Sequence, residues 1–226
     1  MTSTIDKGKG WIHGYAIALK NAAKQVNWGP YNTDETSLSN SLNDSILLKY
    51  NLDGYTNTQK LLQAHGTLTN YPAFYYALTD YNNKHPAPPT SSGWYLPSSG
   101  QWFQLAKNLS ELGASDAANF TLQTITTSST SPAETGYADQ WTRKTTTTPF
   151  YSTAGYLNSW LGRNLNSSLY DPYADGTWFW DSTEASGYSG GIFQLYSSTI
   201  TILQRTLKNS GSGDPNGGYV RPVLAF

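Results

Sequence analysis

The chain has 226 residues, enough for one large domain, and 14 basic against 15 acidic side chains leave a net charge of −1. With only 13% charged residues no electrostatic field draws it to nucleic acid or an anionic membrane, and the lack of cysteine excludes disulfides, thiolate metal sites and a cysteine nucleophile. Its 17 Tyr and 8 Trp stand among Ser, Thr, Asn and Gly, a palette that suits recognition surfaces and that β-rich cores use equally.

Met1-Thr2-Ser3-Thr4 carries no export signal and reads as an artificial start or the trimmed end of a mature chain. No apolar run approaches the roughly 18 residues of a membrane span. Residues 11–19 read as a strand and Asn27-Trp28-Gly29-Pro30 as a turn. The stretch 31–54 is polar and irregular around Ile46-Leu47-Leu48. A helix is predicted from Thr56 to Ala64, capped by Thr56 or Asn57 and stopped by Gly66. A second runs from Tyr71 to Tyr81, with Pro72 at its first position and Phe74, Ala77 and Leu78 on one face. Trp94-Tyr95-Leu96 reads as a short strand after the rigid Pro-rich loop at 85–93. Ser98 and Gln101 then form a capping box for a helix with a Trp102, Leu105, Ala106, Leu109 stripe and a stop at Gly113.

The Thr/Ser-rich segment 121–149 reads as an inserted surface hairpin or loop. Tyr156, Trp160 and Leu161 suggest a short helix. From Thr177 onward only strands are predicted, near 178–182, 191–196, 199–205 and 219–225. The apolar ending Val223-Leu224-Ala225-Phe226 predicts a terminus tied into a sheet, and the strand at 11–19 is its expected partner.

Four phrases occur in order: Gly14-Tyr15-Ala16-Ile17-Ala18-Leu19, Gly93-Trp94-Tyr95-Leu96-Pro97-Ser98, Trp180-Asp181-Ser182-Thr183-Glu184 and Val220-Arg221-Pro222-Val223. Together they resemble a family of bacterial surface domains that includes the C-terminal domain of the Legionella collagen-like adhesin and the Fibrobacter major paralogous domain. Members occur in gut Bacteroidales surface proteins, fimbrial subunits among them. The resemblance implies an α+β fold of C-type-lectin-like type over residues 1–226. It has two main helices, a mixed sheet joining both termini, and long loops, here with surface insertions near 31–54 and 121–149. Residues 180–208 also resemble the variable region of ligand-binding proteins diversified by retroelements in gut bacteria and their phages. That likeness implies a buried frame of Phe193, Leu195 and Ile200, and exposed Ala185, Tyr188, Gln194, Tyr196, Ser197 and Thr199. Two departures stand out: Asp181 where the family has a second Ser, and Gly190-Gly191 where it tends to carry Ala-Trp.

Catalytic signatures lack their context. Gly187-Tyr188-Ser189-Gly190-Gly191 fits a nucleophile-elbow pattern, yet it precedes a strand, and His13, His65 and His85 all lie upstream; it reads as a turn. Asp214-Pro215-Asn216 is the nearest approach to a calcium-binding lectin loop and also reads as a turn. No cofactor or metal is expected. Trp94 and Trp102 read as core. Trp178 and Trp180 share a side of one strand, either as core or as a stacking platform. Arg221 is expected to pair with a carboxylate such as Glu184.

The expectation is therefore a non-enzymatic domain displayed on a bacterial surface or a phage particle. It would bind a glycan or a host protein through Trp178, Trp180, Asp181, Ala185, Tyr188, Gln194, Tyr196, Ser197 and Thr199. A structural fimbrial subunit and a hydrolase with unrecognised carboxylates are the alternatives.

Overall fold

A short helix, α1 (Thr4–Gly8), leads into strand β1 (Tyr15–Ile17). The computed structural model describes residues 4–38, 52–109, 120–127, 136–143, 166–172, 176–195, 199–215 and 217–226. The strand expected over 11–19 shrinks to three residues because the Asp6 carbonyl accepts the amides of Lys9 and Trp11 and turns the chain there. Helix α2 (Gly54–His65) ends, as expected, at Gly66, whose φ of 68° makes the left-handed turn that lets its N–H reach the Leu62 carbonyl. Its start lies two residues before Thr56, with Asp53 in the cap position. Pro72 opens α3 (Pro72–Tyr75), which continues through a π-helical turn (Tyr76–Asp80) into α4 (Tyr81–Lys84). Phe74 and Ala77 lie in the core.

Helix α5 (Ser99–Leu109) begins where the capping box placed it. The Gln101 side chain reaches back to accept the Ser98 amide at 3.0 Å and donates to Tyr95 Oη at 2.8 Å. Trp102 is fully buried, but Trp94 is only half-buried, its indole N–H spent on the His85 carbonyl. Gly113 and the helix expected around Tyr156 fall outside the described residues.

The Thr/Ser-rich segment forms a hairpin, β2 (Phe120–Thr127) and β3 (Gly136–Arg143). A 3-10 turn (Ser167–Leu169) precedes the long strands β4 (Trp178–Ser186), β5 (Ser189–Leu195) and β6 (Thr199–Leu207), and β7 (Val223–Ala225) closes the chain. Five strands make an antiparallel sheet in the order β2-β3-β6-β5-β4, so the hairpin extends the sheet through β3 against β6. The fold class is α+β.

The chain termini pair. Strand β1 runs antiparallel to β7 with Tyr15 opposite Ala225 and Ile17 opposite Val223. The final strand is shorter than the predicted 219–225, since Pro222 offers no amide and the residues before it make only single bridges, Val220 to Ala23 and Tyr219 to Phe179. Those bridges matter. The Trp180 amide donates to the Tyr219 carbonyl at 3.0 Å, and the Tyr95 and Val223 backbones exchange two hydrogen bonds. The C-terminal segment thus stitches the edge strand β4 to the β1 pair and to the segment entering α5.

Val223, Leu224 and Ala225 are all buried. Deleting Leu224-Ala225-Phe226 is expected to abolish cooperative thermal unfolding, because it removes this burial and the β1 ladder together. An unchanged melting curve for the truncated chain would overturn the terminal pairing as a stability element.

Candidate functional site

Strands β4 and β5 are covered on both faces, and this decides which of their predicted site residues meet solvent. On one face Trp178, Trp180 and Ile192 join Trp28, Leu61, Phe74 and Val220 in the main apolar core. On the other, Trp102 of α5 stacks on Phe193 with ring centroids 4.7 Å apart and leans on Phe179 at 5.1 Å. Strand alternation therefore sorts side chains between two interiors rather than between core and water. Trp178 and Trp180 do share a side, 4.9 Å apart, and both are core rather than platform. Asp181 is fully buried. Ala185 and Gln194, expected outside, are only 6% and 8% exposed, and the Gln194 amide donates to the Gly176 carbonyl. Phe193 is buried as predicted. Tyr196 and Ser197 lie outside the described residues, and Thr199 is placed as the first residue of β6, opposite Thr142. Among the predicted site residues whose burial is described, Tyr188 is the exposed one.

What lies behind Tyr188 is a sealed polar network built around Trp28. Its indole N–H donates to the Asp181 carbonyl at 2.8 Å, and the rings of Phe74 and Tyr71 meet it edge-on. Over its face stands the Lys208 ammonium, 4.7 Å from the ring centroid. Lys208 is completely buried, ion-paired with the equally buried Glu184, and donates to the Thr33 carbonyl at 2.6 Å. Arg221, expected on Glu184, instead reaches Asn21 at 2.8 Å and the Asp171 carbonyl at 2.9 Å. Burial raises the Glu184 carboxyl above its ordinary range and the contact with Lys208 opposes that shift.

Glu184 also anchors the loop at 31–38. Both its carboxylate oxygens accept the Glu35 amide at 3.1 Å. The Glu35 side chain takes a hydrogen bond from Tyr71 Oη and lies 2.8 Å from His65 Nε2 at the end of α2. Burial, then Glu35, pushes the Tyr71 phenol well above its usual range. At the loop's other end the Thr33 amide donates to the Gly187 carbonyl at 2.9 Å. The loop is thus clamped to the β4–β5 turn, to Lys208 and to α2.

This clamp brings two aromatic side chains together at one pole. Tyr31, 45% exposed, and Tyr188, 37% exposed, meet with centroids 5.3 Å apart and planes inclined at 61°. Asn32 sits beside Tyr31 at φ 60°, a left-handed conformation that asparagine tolerates better than most residues. The Tyr188 carbonyl accepts the Lys208 amide, which brings the exposed Asn209 to the same pole. Of the turn predicted over Gly187–Gly191, Gly187 and Tyr188 form the turn while Ser189, Gly190 and Gly191 belong to β5. In the turn predicted at Asp214-Pro215-Asn216, of which Asn216 lies outside the described residues, the Asp214 carbonyl accepts the Gly217 amide and its carboxylate accepts the Trp178 indole N–H. Tyr31, Asn32 and Asn209 escaped sequence reasoning. Their segments read as polar loop, and nothing local announces that Lys208 and Glu184 will join them.

The two departures from the family pattern turn out to be linked to buried neighbours. The Asp181 carboxylate accepts from Ser99 Oγ at 2.6 Å and from the Thr183 amide at 2.7 Å. A Cβ on residue 191 would stand 2.5 Å from Asp181 Oδ1, and one on residue 190 would stand 2.6 Å from the Trp28 ring. Gly191 makes room for the larger acid at 181, and Gly190 for the indole. Burial lifts the Asp181 carboxyl to about 6, against the opposing hydrogen bonds from Ser99 and Thr183. Among the described residues no group of three or more His, Asp or Glu could hold a metal, and no helix is long and apolar enough to cross a membrane.

Comparison with protein-family models and with curated proteins gives no match. Among solved structures, the chain is similar to a fimbrial protein from Bacteroides ovatus ATCC 8483 with a TM-score of 0.61. The sequences are 15% identical, and the match covers 100% of this chain but 38% of that one. At that identity the likeness is one of fold.

Two predictions test the interior. The raised Asp181 pKa means that the folded state binds a proton more tightly than the unfolded state, so this group's contribution to stability is present in acid and lost as pH rises through about 6. Asp181→Asn, whose amide can satisfy both Thr183 and Ser99, is expected to flatten that slope, which is about 1.4 kcal/mol per pH unit between the two pKa values. Urea melts at a series of pH values measure it; an unaltered slope would assign the pH dependence elsewhere. Lys208→Met leaves Glu184 charged and alone in the interior, an expected loss of about 3–5 kcal/mol. Adding Glu184→Gln is expected to restore a large part of it, and a double variant no better than the single one would show that the pair is not coupled.

Proposed function

We propose that this chain is a non-catalytic recognition domain of a bacterial surface protein, and that it binds its ligand at the pole formed by Tyr31 and Tyr188. The observation that carries the reading is the exposed tyrosine pair held on a clamped loop. Around β4 and β5 the other described aromatic residues are consumed by packing: Trp178, Phe179, Trp180 and Phe193 on the strands, Trp102 on α5 and Trp28 in the loop between β1 and α2 are all buried. Two rings that remain exposed while a buried ion pair fixes the backbone beneath them are preorganised, which lowers the entropy lost on binding. Tyrosine suits the task, since its ring gives contact area with little rotamer cost and its hydroxyl adds a hydrogen bond.

The four-phrase resemblance favours a C-type-lectin-like frame, with which an α+β architecture and paired termini agree, and the likeness in fold to a fimbrial protein from Bacteroides ovatus supports a place on a cell surface. The same likeness favours a second reading, a subunit of a fimbria. Assembly would then proceed through a strand edge, and the purified protein would polymerise irrespective of substitutions at the pole.

Tyr31→Ala/Tyr188→Ala is expected to change stability by no more than about 0.5 kcal/mol, as for other surface positions, and to abolish capture of ligand in a screen of host glycans and host proteins. Capture that survives in a folded double variant would move the site away from this pole.

A further inference from the structure

The chemistry around Tyr31 and Tyr188 narrows the ligand class. Resting on the recognition reading above, we propose that the pole binds a neutral pyranose of a glycan, with the sugar ring lying on one tyrosine face and its hydroxyls read by the amides of Asn32 and Asn209. The two rings, 5.3 Å apart and inclined at 61°, make an angled corner rather than a flat stack. An aromatic face carries partial negative charge and attracts the weakly positive C–H groups on the apolar side of a pyranose, while the second ring borders its edge. Asn32 and Asn209, both exposed, each offer a donor and an acceptor, which matches vicinal hydroxyls.

Charge argues against an anionic ligand. Among the described residues the cation beneath this pole, Lys208, is fully buried and engaged with Glu184 and Thr33, so it presents no charge to solvent. Size argues against a protein partner as the main occupant. A stable protein interface buries on the order of 1,200–2,000 Å² around an apolar centre, whereas this pole offers two rings flanked by polar side chains.

The experiment uses the intact chain and immobilised neutral oligosaccharides of gluco, galacto and manno configuration, beside sialylated and sulfated counterparts and a panel of host proteins. The expected result is capture of at least one neutral series, weakened about tenfold or more by Tyr31→Ala or Tyr188→Ala. Tyr31→Phe/Tyr188→Phe should retain it, because stacking needs the ring and not the hydroxyl, and Asn32→Ala with Asn209→Ala should weaken it. Circular dichroism and melting of each variant separate lost binding from lost folding. No neutral oligosaccharide captured, or stronger capture of the anionic set, overturns the inference. If a host protein is captured through the tyrosine pair and no sugar is, the sugar inference falls while the pole stands as the site. Neutral-sugar binding that ignores both alanine substitutions overturns the pole itself.

Discussion

The ion pair between Lys208 and Glu184, sealed beneath the loop at 31–38, is the interaction on which the rest of this structure depends. Two charges in a protein interior each cost several kcal/mol of hydration, and their mutual attraction offsets that only when every remaining polar atom is also satisfied. Here the condition is met by backbone. The Thr33 carbonyl accepts a hydrogen bond from Lys208, the Glu35 amide donates to Glu184, and the face of Trp28 stands against the ammonium. None of these partners is adjacent in sequence, so the pair forms only when the loop, β4 and the segment after β6 have already met. The pair joins the loop at 31–38 to β4 and to the segment after β6, and so holds Tyr31 beside Tyr188.

Trp28 translates that arrangement into packing. Its ring fills the space left by Gly190, its N–H bonds the β4 backbone at Asp181, and its edges are met by Tyr71 and Phe74 on the other side. The same side of the sheet carries Trp178 and Trp180 into the core. The opposite side is closed by α5 through Trp102, whose indole N–H reaches the Trp180 carbonyl at 3.3 Å. Strands β4 and β5, buried on both faces, offer little room for function along their length, whereas the turn that joins them carries the exposed Tyr188, to which the exposed Tyr31 is delivered.

Asp181 and Gly191 show how a departure from a family pattern becomes intelligible in three dimensions. An acid in place of a serine needs more volume and a hydrogen-bonding shell. The volume comes from the absent side chain at 191, and the shell from Ser99 and the Thr183 amide. Ser99 lies at the first position of α5, so this buried acid also ties the start of that helix to β4. The carboxyl remains costly to ionise, which places a pH-sensitive group inside the fold and away from the pole.

The sequence by itself determined the elements whose causes are local. Pro72 opened its helix, Gly66 closed the one before it, Ser98 with Gln101 set the start of α5, and the apolar end of the chain demanded a strand partner. Rotamer, φ and capping preferences act over four or five residues, so they are legible without a fold. The identical parity of Trp178 and Trp180 was legible for the same reason. Exposure was not. Alternation says which residues share a face and is silent on what covers each face, so Ala185 and Gln194 were assigned to solvent when α5 and the core had closed both sides. The partner of Glu184 was equally out of reach, because Arg221 and Lys208 are both basic residues of the C-terminal segment and only the tertiary path of the chain brings one of them to the acid. The meeting of Tyr31 with Tyr188, 157 residues apart in the chain, rests on that same path. Tertiary structure decided the site because its defining contacts are long-range, held by a buried ion pair that no local pattern announces.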